Sequence, residues 1–272
     1  MTSNLLLVAG IFVLSLALRS VTNPIIHRIG TLGVLFTSFL VGWLLIGELW
    51  IGVALAFSWL LLPWLEILTR VRRMRIPFDR RLKDRTPPNR MAFPNLSELT
   101  DAIEGADFEY LDDIGWDWDN YSQFFRIFGD EKKGTQAAIC LIEQDELAFF
   151  YLSISSRMED GTVYMTWNYP FSYALKTPPR LKLNRVGGEL DFQALLREHA
   201  SFLEAQGRKP DEAKLQTPEE IRSEIENDIR TQMRFNIDRG LLEREGKDLI
   251  RYSIRGMLFL WLQFLRDFVR LS

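Results

Sequence analysis

A single cysteine, Cys140, and two histidines, His27 and His199, stand among 272 residues. One cysteine closes no internal disulfide, so the composition does not point to an oxidising compartment. So few imidazoles and thiols also argue against a zinc site of the usual ligands. Also missing are a phosphate-cradling glycine loop, a G-x-S-x-G elbow, an H-E-x-x-H helix and a dinucleotide fingerprint. "VGG", residues 186–188, reads only as a turn. No cofactor is therefore expected, and no residue is assigned a catalytic or metal-binding role. An excess of one charge is lacking too, the formal net charge being -3, but the balance is uneven along the chain. From Arg70 to Arg90 nine basic residues face two aspartates, whereas 95–160 holds 16 acidic residues against 4 basic ones.

Apolar sequence is abundant at the N-terminus. "TLGVLFTSFLVGWLLIGELWIGVALAFSWLLLPWLEIL", residues 31–68, has Glu48 as its only charge before Glu66. One helix of that length would overrun a hydrocarbon core of about 30 Å, so two helices are expected, 31–47 and 49–68, turning near Gly47 and Glu48. A hairpin returns to the side it left. His27 and Arg28 precede it and Arg70, Arg72, Arg73 and Arg75 follow it, which by the positive-inside rule makes both flanks cytoplasmic. Trp43, Trp50, Trp59 and Trp64 include interface anchors, and Ser38 with Gly42 and Gly52 with Ala56 have the small-xxx-small spacing of close helix pairs. The first run, residues 5–18, is short for a span. No basic residue precedes it and no clear cleavage site follows, so a short first transmembrane helix is favoured over a signal peptide. Arg19 then marks the inner surface and the N-terminus lies outside; an interfacial helix is the alternative.

Residues 70–94 contain Pro77, Pro87, Pro88 and Pro94 and should form an extended basic linker. Its charges can hold the hairpin's orientation. Arg70, Arg72, Arg73, Arg75, Arg80 and Arg81 are also candidates for contact with anionic lipid head groups, each worth about 1 kcal/mol near the surface. Nucleic acid is not an expected partner, because the acidic stretch that follows would repel phosphate.

Residues 95–207 read as an α+β domain. A short helix at "NLSELTDAIEG" precedes strand-like runs at 124–128, 135–143, 147–156, 163–169 and 181–186, separated by turn material such as "GDEKKG", "QDE" and "EDG". Short connections predict an antiparallel sheet of four or five strands, with "AAICLI" central and covered on both faces. "LDFQALLREHASFLEAQG" is the helix packed on it. Phe192, Leu195, Leu196, His199 and Leu203 share its buried stripe, so His199 is read as a hydrogen-bonded core histidine rather than a base. Cys140, mid-strand in an apolar run, should be inert.

"DDIGWDWDNY", residues 112–121, packs Asp112, Asp113, Asp117 and Asp119 around Trp116 and Trp118. The carboxylates could ligate a hard cation, but the stretch lacks the ligand alternation and central glycine of a calcium loop. A packing loop is the reading, its tryptophans plugging one side of the sheet. "WNYPFSY", residues 167–173, could be a recognition surface; packing at a strand end is favoured.

Over 208–272 a helix with Thr217 as N-cap and Pro218 first is closed by Gly240, followed by a hairpin and a final helix. Residues 239–256, "RGLLEREGKDLIRYSIRG", resemble the wing hairpin that follows the recognition helix of winged-helix proteins. The resemblance covers under a tenth of the chain and implies a DNA-reading helix before it. That helix departs from the pattern, mixing Glu219, Glu220, Glu224, Glu226, Asp228 and Asp238 with Arg222, Arg230, Arg234 and Arg239.

In the final helix Gln263, Arg266, Asp267 and Arg270 share one narrow face, and the remaining arc is apolar. Too short and charged to span, the helix is expected in the cytoplasmic membrane interface through Phe259, Trp261, Phe264 and Phe268. Arg266 and Arg270 would point toward lipid phosphates. Burial against the soluble domain or a second subunit is the alternative.

The expectation is thus a membrane-anchored α+β protein: transmembrane region 1–69, linker 70–94, cytoplasmic domain 95–207 and a helix–hairpin–helix unit 208–272. Its expected role is that of a multi-pass protein of a bacterial-type inner membrane, presenting a non-catalytic domain to an unknown protein partner, self included. The competing readings are a membrane-face enzyme using carboxylates near 112–119 and a membrane-tethered winged-helix-like regulator.

Overall fold

The computed structural model describes residues 2–21, 23–91, 93–130, 132, 134–144, 147–188, 191–209, 212–214 and 216–271, the side chains of Pro24, Arg28 and 268–271 excepted. Residues 131, 133, 145 and 146, in two expected turns, lie outside this set, as do the side chains of Phe268 and Arg270. Three helices come first: α1 (Thr2–Arg19), α2 (Pro24–Leu40) and α3 (Leu49–Thr69). Two short strands follow, β1 (Ile76–Pro77) and β2 (Lys83–Asp84), then α4 (Leu96–Glu104). Six strands come next: β3 (Glu109–Trp118), β4 (Tyr121–Asp130), β5 (Thr135–Gln144), β6 (Leu147–Arg157), β7 (Val163–Trp167) and β8 (Leu181–Arg185). The chain ends with α5 (Phe192–Ala205), α6 (Pro218–Asp238), β9 (Leu242–Glu245), β10 (Leu249–Tyr252) and α7 (Ile254–Leu271).

Two compact units result. One is Met1–Met74 with Ser172–Leu175 and Arg251–Ser272; the other is Arg75–Phe171 with Lys176–Ile250.

In the first unit α1, the stretch Ile25–Ile46 that α2 begins, and α3 are each long and apolar enough to cross a membrane. The first helix is longer than its apolar run suggested, and it packs antiparallel to α2. Near its end, a Cβ on Gly30 of α2 would come 2.7 Å from the Ser15 carbonyl oxygen. At its start, the Asn4 side-chain amide donates to the Leu44 carbonyl at 3.2 Å. Asn23 opens α2 by accepting the Ile25 N–H at 2.9 Å, with Pro24 first in the helix. α2 then widens into a π-helical turn, Val41–Ile46, which ends at Gly47 with φ 88°. That value costs glycine nothing and marks the expected hairpin turn. The return crossing is close because neither partner has a side chain: a Cβ on Gly42 would collide with the Gly52 backbone, and one on Gly52 with the Phe39 carbonyl. Trp59 Nε1 donates to Ser38 Oγ across the same pair at 2.9 Å. The small-xxx-small positions are thus where α2 and α3 meet.

The second unit is built on a seven-stranded sheet of order β2-β3-β4-β5-β6-β7-β8. The expected count of four or five strands was low. Residues 112–118, expected as a loop, belong to β3, paired with β4 from Glu109–Gly129 to Trp118–Tyr121. The dense carboxylates and tryptophans disguised a strand whose side chains alternate between two covered faces. β7 and β8 pair in parallel, against the expectation of an all-antiparallel sheet. The long connection through residues 168–180 carries the chain back before β8 begins, so no hairpin forms. β5 is central as expected, with Ile139, Cys140 and Leu141 all buried.

One face of the sheet presents Phe124, Phe128, Ile139, Leu152 and Ile154 to Ile103 of α4 and to Phe192 and Leu195 of α5. On the other, Ile114, Trp116 and Ile127 meet Ile221 and Ile225 of α6. The expected linker is not free from residue 75 onward. Ile76, Phe78, Leu82 and Phe93 are all buried, because apolar side chains are spaced among its arginines. β1 adds to the β9–β10 hairpin to make a second sheet of order β1-β10-β9. α6 starts as expected, Thr217 and Glu220 forming a reciprocal capping box.

Candidate functional site

The four aspartates of the 112–121 stretch do not converge. Asp113 and Asp112 point to opposite faces of β3, as neighbours in a strand must. Asp113 is buried and accepts two hydrogen bonds from Arg126, Nε to Oδ1 at 2.9 Å and Nη2 to Oδ2 at 2.8 Å. Arg126 also donates to Thr100 Oγ1 at 3.0 Å, which ties α4 to the sheet. The hydrogen bonds to Asp113 push the guanidinium pKa further up. Asp112 accepts from Arg222 of α6 at 2.5 Å, and the same guanidinium reaches Asp84 at 2.6 Å. Asp117 pairs with Arg85. Asp119 occupies the β3–β4 turn at φ 53°, a left-handed conformation that aspartate tolerates. Trp116 is buried with Arg80 over its ring at 4.0 Å. Among the described residues no group of three or more His, Cys, Asp or Glu is placed to hold a metal ion.

His199 is buried between two strands' hydroxyls, as its stripe suggested. Nε2 lies 3.0 Å from Ser156 Oγ and Nδ1 3.0 Å from Thr166 Oγ1. Desolvation lowers its pKa to about 4, so the ring is neutral at pH 7. Ser156 is fully buried. A serine and a histidine in hydrogen-bond contact are the start of a nucleophile pair, but no substrate reaches a sealed hydroxyl. The cluster packs α5 on the sheet.

A cavity of about 110 Å³ lies between α6 and the sheet, lined by Gln136, Cys140, Ser153, Arg157, Glu224 and Asp228 among others. Drug-sized ligands need about 300–1,000 Å³, so this one has room for several waters. Arg157 of β6 pairs with both Glu224 and Asp228. Gln136 donates to Gln216, which donates to Glu224. Burial pushes the Asp228 carboxyl up, and Arg157 pulls it down. Cys140 is fully enclosed and its thiol is pushed up to about 12 by burial, which leaves no thiolate at neutral pH. The assembly clamps α6 to the sheet. Sequence reasoning missed it, although Glu220, Glu224 and Asp228 at i, i+4 and i+8 form a visible acidic stripe.

The "WNYPFSY" aromatics pack on one another at the end of β7. Trp167 stacks on Tyr169 at 5.1 Å and Tyr151 meets Tyr169 edge-on at 5.1 Å. Phe171 is half-exposed against Phe149.

The arginines proposed for lipid head groups fall into two sets. Arg70 pairs with Glu66 at 3.1 Å, and Arg70, Arg72, Arg73, Arg81 and Arg266 are exposed. Arg75 instead pairs with Glu245 at 2.5 Å, and Arg80 covers Trp116. In α6, Arg222 is engaged as above, Arg230 pairs with Asp79 at 2.7 Å, and the helix lies on the sheet. That geometry differs from a recognition helix offering arginines to a groove.

α7 belongs to the first unit. Trp261 Nε1 donates to the Leu60 carbonyl at 2.8 Å, and its ring lies 6.1 Å from that of Trp64. Pro63 sits within this turn of α3; it has no N–H, so the Trp59 carbonyl, four residues back, loses its helical donor. Phe259, Trp261 and Phe264 are half-buried, but Gln263 and Asp267, expected on the wet face, are buried. Asp267 accepts the Ser172 N–H at 2.7 Å and its hydroxyl at 2.5 Å, which explains the reversal.

No family model, curated protein or solved structure matches this chain.

Proposed function

We propose that the chain is a multi-pass protein of a bacterial-type inner membrane, anchored by α1–α3, which presents its α+β unit in the cytoplasm to a protein partner. The observation that carries this is the dressing of the three helices. Leu6, Trp50 and Leu65 are 72%, 77% and 65% exposed, whereas Ser15, Thr31 and Thr37 are 3%, 3% and 6% exposed. Such a surface fits lipid, not water. Arg19 and Arg70 through Arg73 close the ends opposite the Gly47–Glu48 turn, which favours the cytoplasm for that side. In the α+β unit Asp112, Asp113 and Asp117 are held at separate places by Arg222, Arg126 and Arg85. That supports a binding or assembly role over acid–base catalysis. Cysteines placed at the exposed Ser97 and Ser223 test the topology, since the buried Cys140 stays silent. An impermeant maleimide should label them only after lysis; labelling in intact cells overturns the orientation. Cross-linking in membranes at the same two positions should then yield one reproducible adduct, with self-association read from its mass.

A further inference from the structure

α7 is dressed the wrong way round for a helix at a water-facing surface. Its Ile254, Leu258 and Leu262 are 72%, 44% and 56% exposed, while Gln263 and Asp267 are 7% and 9% exposed. Residues four apart advance about 40° around a helix, so the three apolar residues form one stripe about 80° wide. Arg255 and Arg266, both exposed, follow within about 40° of Leu262 on the same side. The only acid of the helix, Asp267, is turned inward and bonded to Ser172. The outward surface is therefore an apolar stripe with a purely cationic rim.

We propose that α7 is an in-plane membrane helix whose Ile254, Leu258 and Leu262 rest among the acyl chains of the leaflet on the basic side, with Arg255 and Arg266 on anionic lipid head groups. Two observations select lipid as the occupant. The helix is docked on α3, a helix long and apolar enough to cross a membrane, by the Trp261 to Leu60 bond and the Trp64 ring. Leu60 and Trp64 lie about 15 and 9 Å along the helix from Arg70, in the half of α3 that leads to its charged end, so the stripe sits in the leaflet on the basic side. The rim also complements anionic phosphates, and each arginine there contributes about 1 kcal/mol. The expected contact residues change accordingly. Trp261 is engaged by α3, and the lipid-facing stripe runs beside it, centred about 60° further round the helix. This assignment rests on the membrane reading above and adds to it which face of α7 meets lipid.

The test uses the full chain in vesicles of phosphatidylethanolamine and phosphatidylglycerol, with single spin labels at positions 258 and 262. References are Leu61 on α3 and Ser223 in the α+β unit, both exposed. Labels at 258 and 262 should collide with oxygen in preference to a nickel chelate, as at 61 and opposite to 223. Arg255→Gln with Arg266→Gln should make both shallower, and more so with phosphatidylglycerol than without it. Chelate-dominated collisions at 258 and 262 while 61 remains oxygen-dominated overturn the proposal and leave the membrane reading standing. Chelate access at 61 as well defeats both. Exclusion of both reagents at 258 and 262, relieved by dilution in lipid, assigns the stripe to a second copy and also overturns it.

Discussion

In the helical unit Leu6, Trp50 and Leu65 lie outside and Ser15, Thr31 and Thr37 inside; in the α+β unit Phe128, Ile139 and Leu195 are sealed, and Asp113 is buried with them. The means of satisfying polar groups differ as much. Buried hydroxyls of α1 and α2 bond within their own helix, Ser15 to the Ile11 carbonyl at 2.7 Å and Thr37 to the Gly33 carbonyl at 2.8 Å. Those of the second unit reach across the sequence, as Ser156 does to His199 at 3.0 Å. A helix that satisfies itself can be cut free of charge partners and surrounded by lipid. A sheet whose covering helices are tied down by guanidinium–carboxylate pairs depends on each pair. Stability should therefore rest on close backbone approach in one unit and on buried charge in the other.

The sharpest test is Arg126→Leu. It leaves the Asp113 carboxylate, 7% exposed, without its bidentate partner, and stranding a buried charge costs about 3–5 kcal/mol. The matching change in the helical unit is Glu66→Gln. Its pair with Arg70 has both side chains about half exposed, at 48% and 50%, so the loss should stay below about 1 kcal/mol. Alkylation of the buried Cys140 during a thermal ramp of the full chain in detergent reads the α+β unit directly. Arg126→Leu should expose the thiol at much lower temperature, and Glu66→Gln should not. Equal shifts would break the contrast.

Acid should separate the units next. The folded His199 binds a proton only near pH 4, whereas the unfolded ring does so near 6.5. The unfolded state thus holds more protons below 6.5, and stability falls as pH drops from there toward 4. The contribution is full above 6.5, and the expected loss between pH 7 and pH 4 is about 3 kcal/mol. His199→Gln should flatten this slope in the Cys140 exposure assay while lowering stability at neutral pH, since Ser156 and Thr166 lose their shared partner. A slope unchanged in the variant would assign the acid sensitivity to carboxylates instead.

The helical unit's own weak point is Gly42. Gly42→Leu forces the Gly52 backbone away, and overpacking of this kind costs about 1–3 kcal/mol. Gly187→Ala in the α+β unit, where a Cβ meets nothing within 4 Å, should change stability by less than about 0.5 kcal/mol. Retention of a monodisperse chain in detergent after mild heating distinguishes the two; tolerance of Gly42→Leu would mean that α2 and α3 do not cross there.

Much of this was legible in the sequence because it is local. The hairpin turn at Gly47, the capping box at Thr217, the central strand around Cys140 and the buried stripe of His199 depend on residues a few positions apart. The rest depends on partners far along the chain. Nothing near Asp112 announces Arg222, and nothing in α7 announces Ser172, so the inward turn of Asp267 could not be read from its amphipathic pattern. That pattern fixes which residues share a face, and the unseen neighbour decides which face is inside. The cavity by Arg157 was invisible for the same reason: its lining comes from four strands and a helix. The strand at 112–118 was misread because carboxylates usually signal a loop, and here each had an arginine waiting.

The smallest effect is expected where the sequence most invites a site. Asp117 pairs with Arg85 at the surface, its side chain 61% exposed, and Asp119 sits in a turn that asparagine adopts as readily. Asp117→Asn with Asp119→Asn should therefore move stability by less than about 0.5 kcal/mol. Added calcium or magnesium should leave the unfolding temperature of both the unaltered chain and the variant where it was, because a cation bound only by the folded state would raise it by mass action. A metal-dependent rise in the unaltered chain that the double variant lacks would show that the turn gathers its carboxylates around an ion. The β3–β4 hairpin would then be a binding element, and the contrast between a self-contained charge network here and an apolar-surfaced bundle there would have to admit an exception.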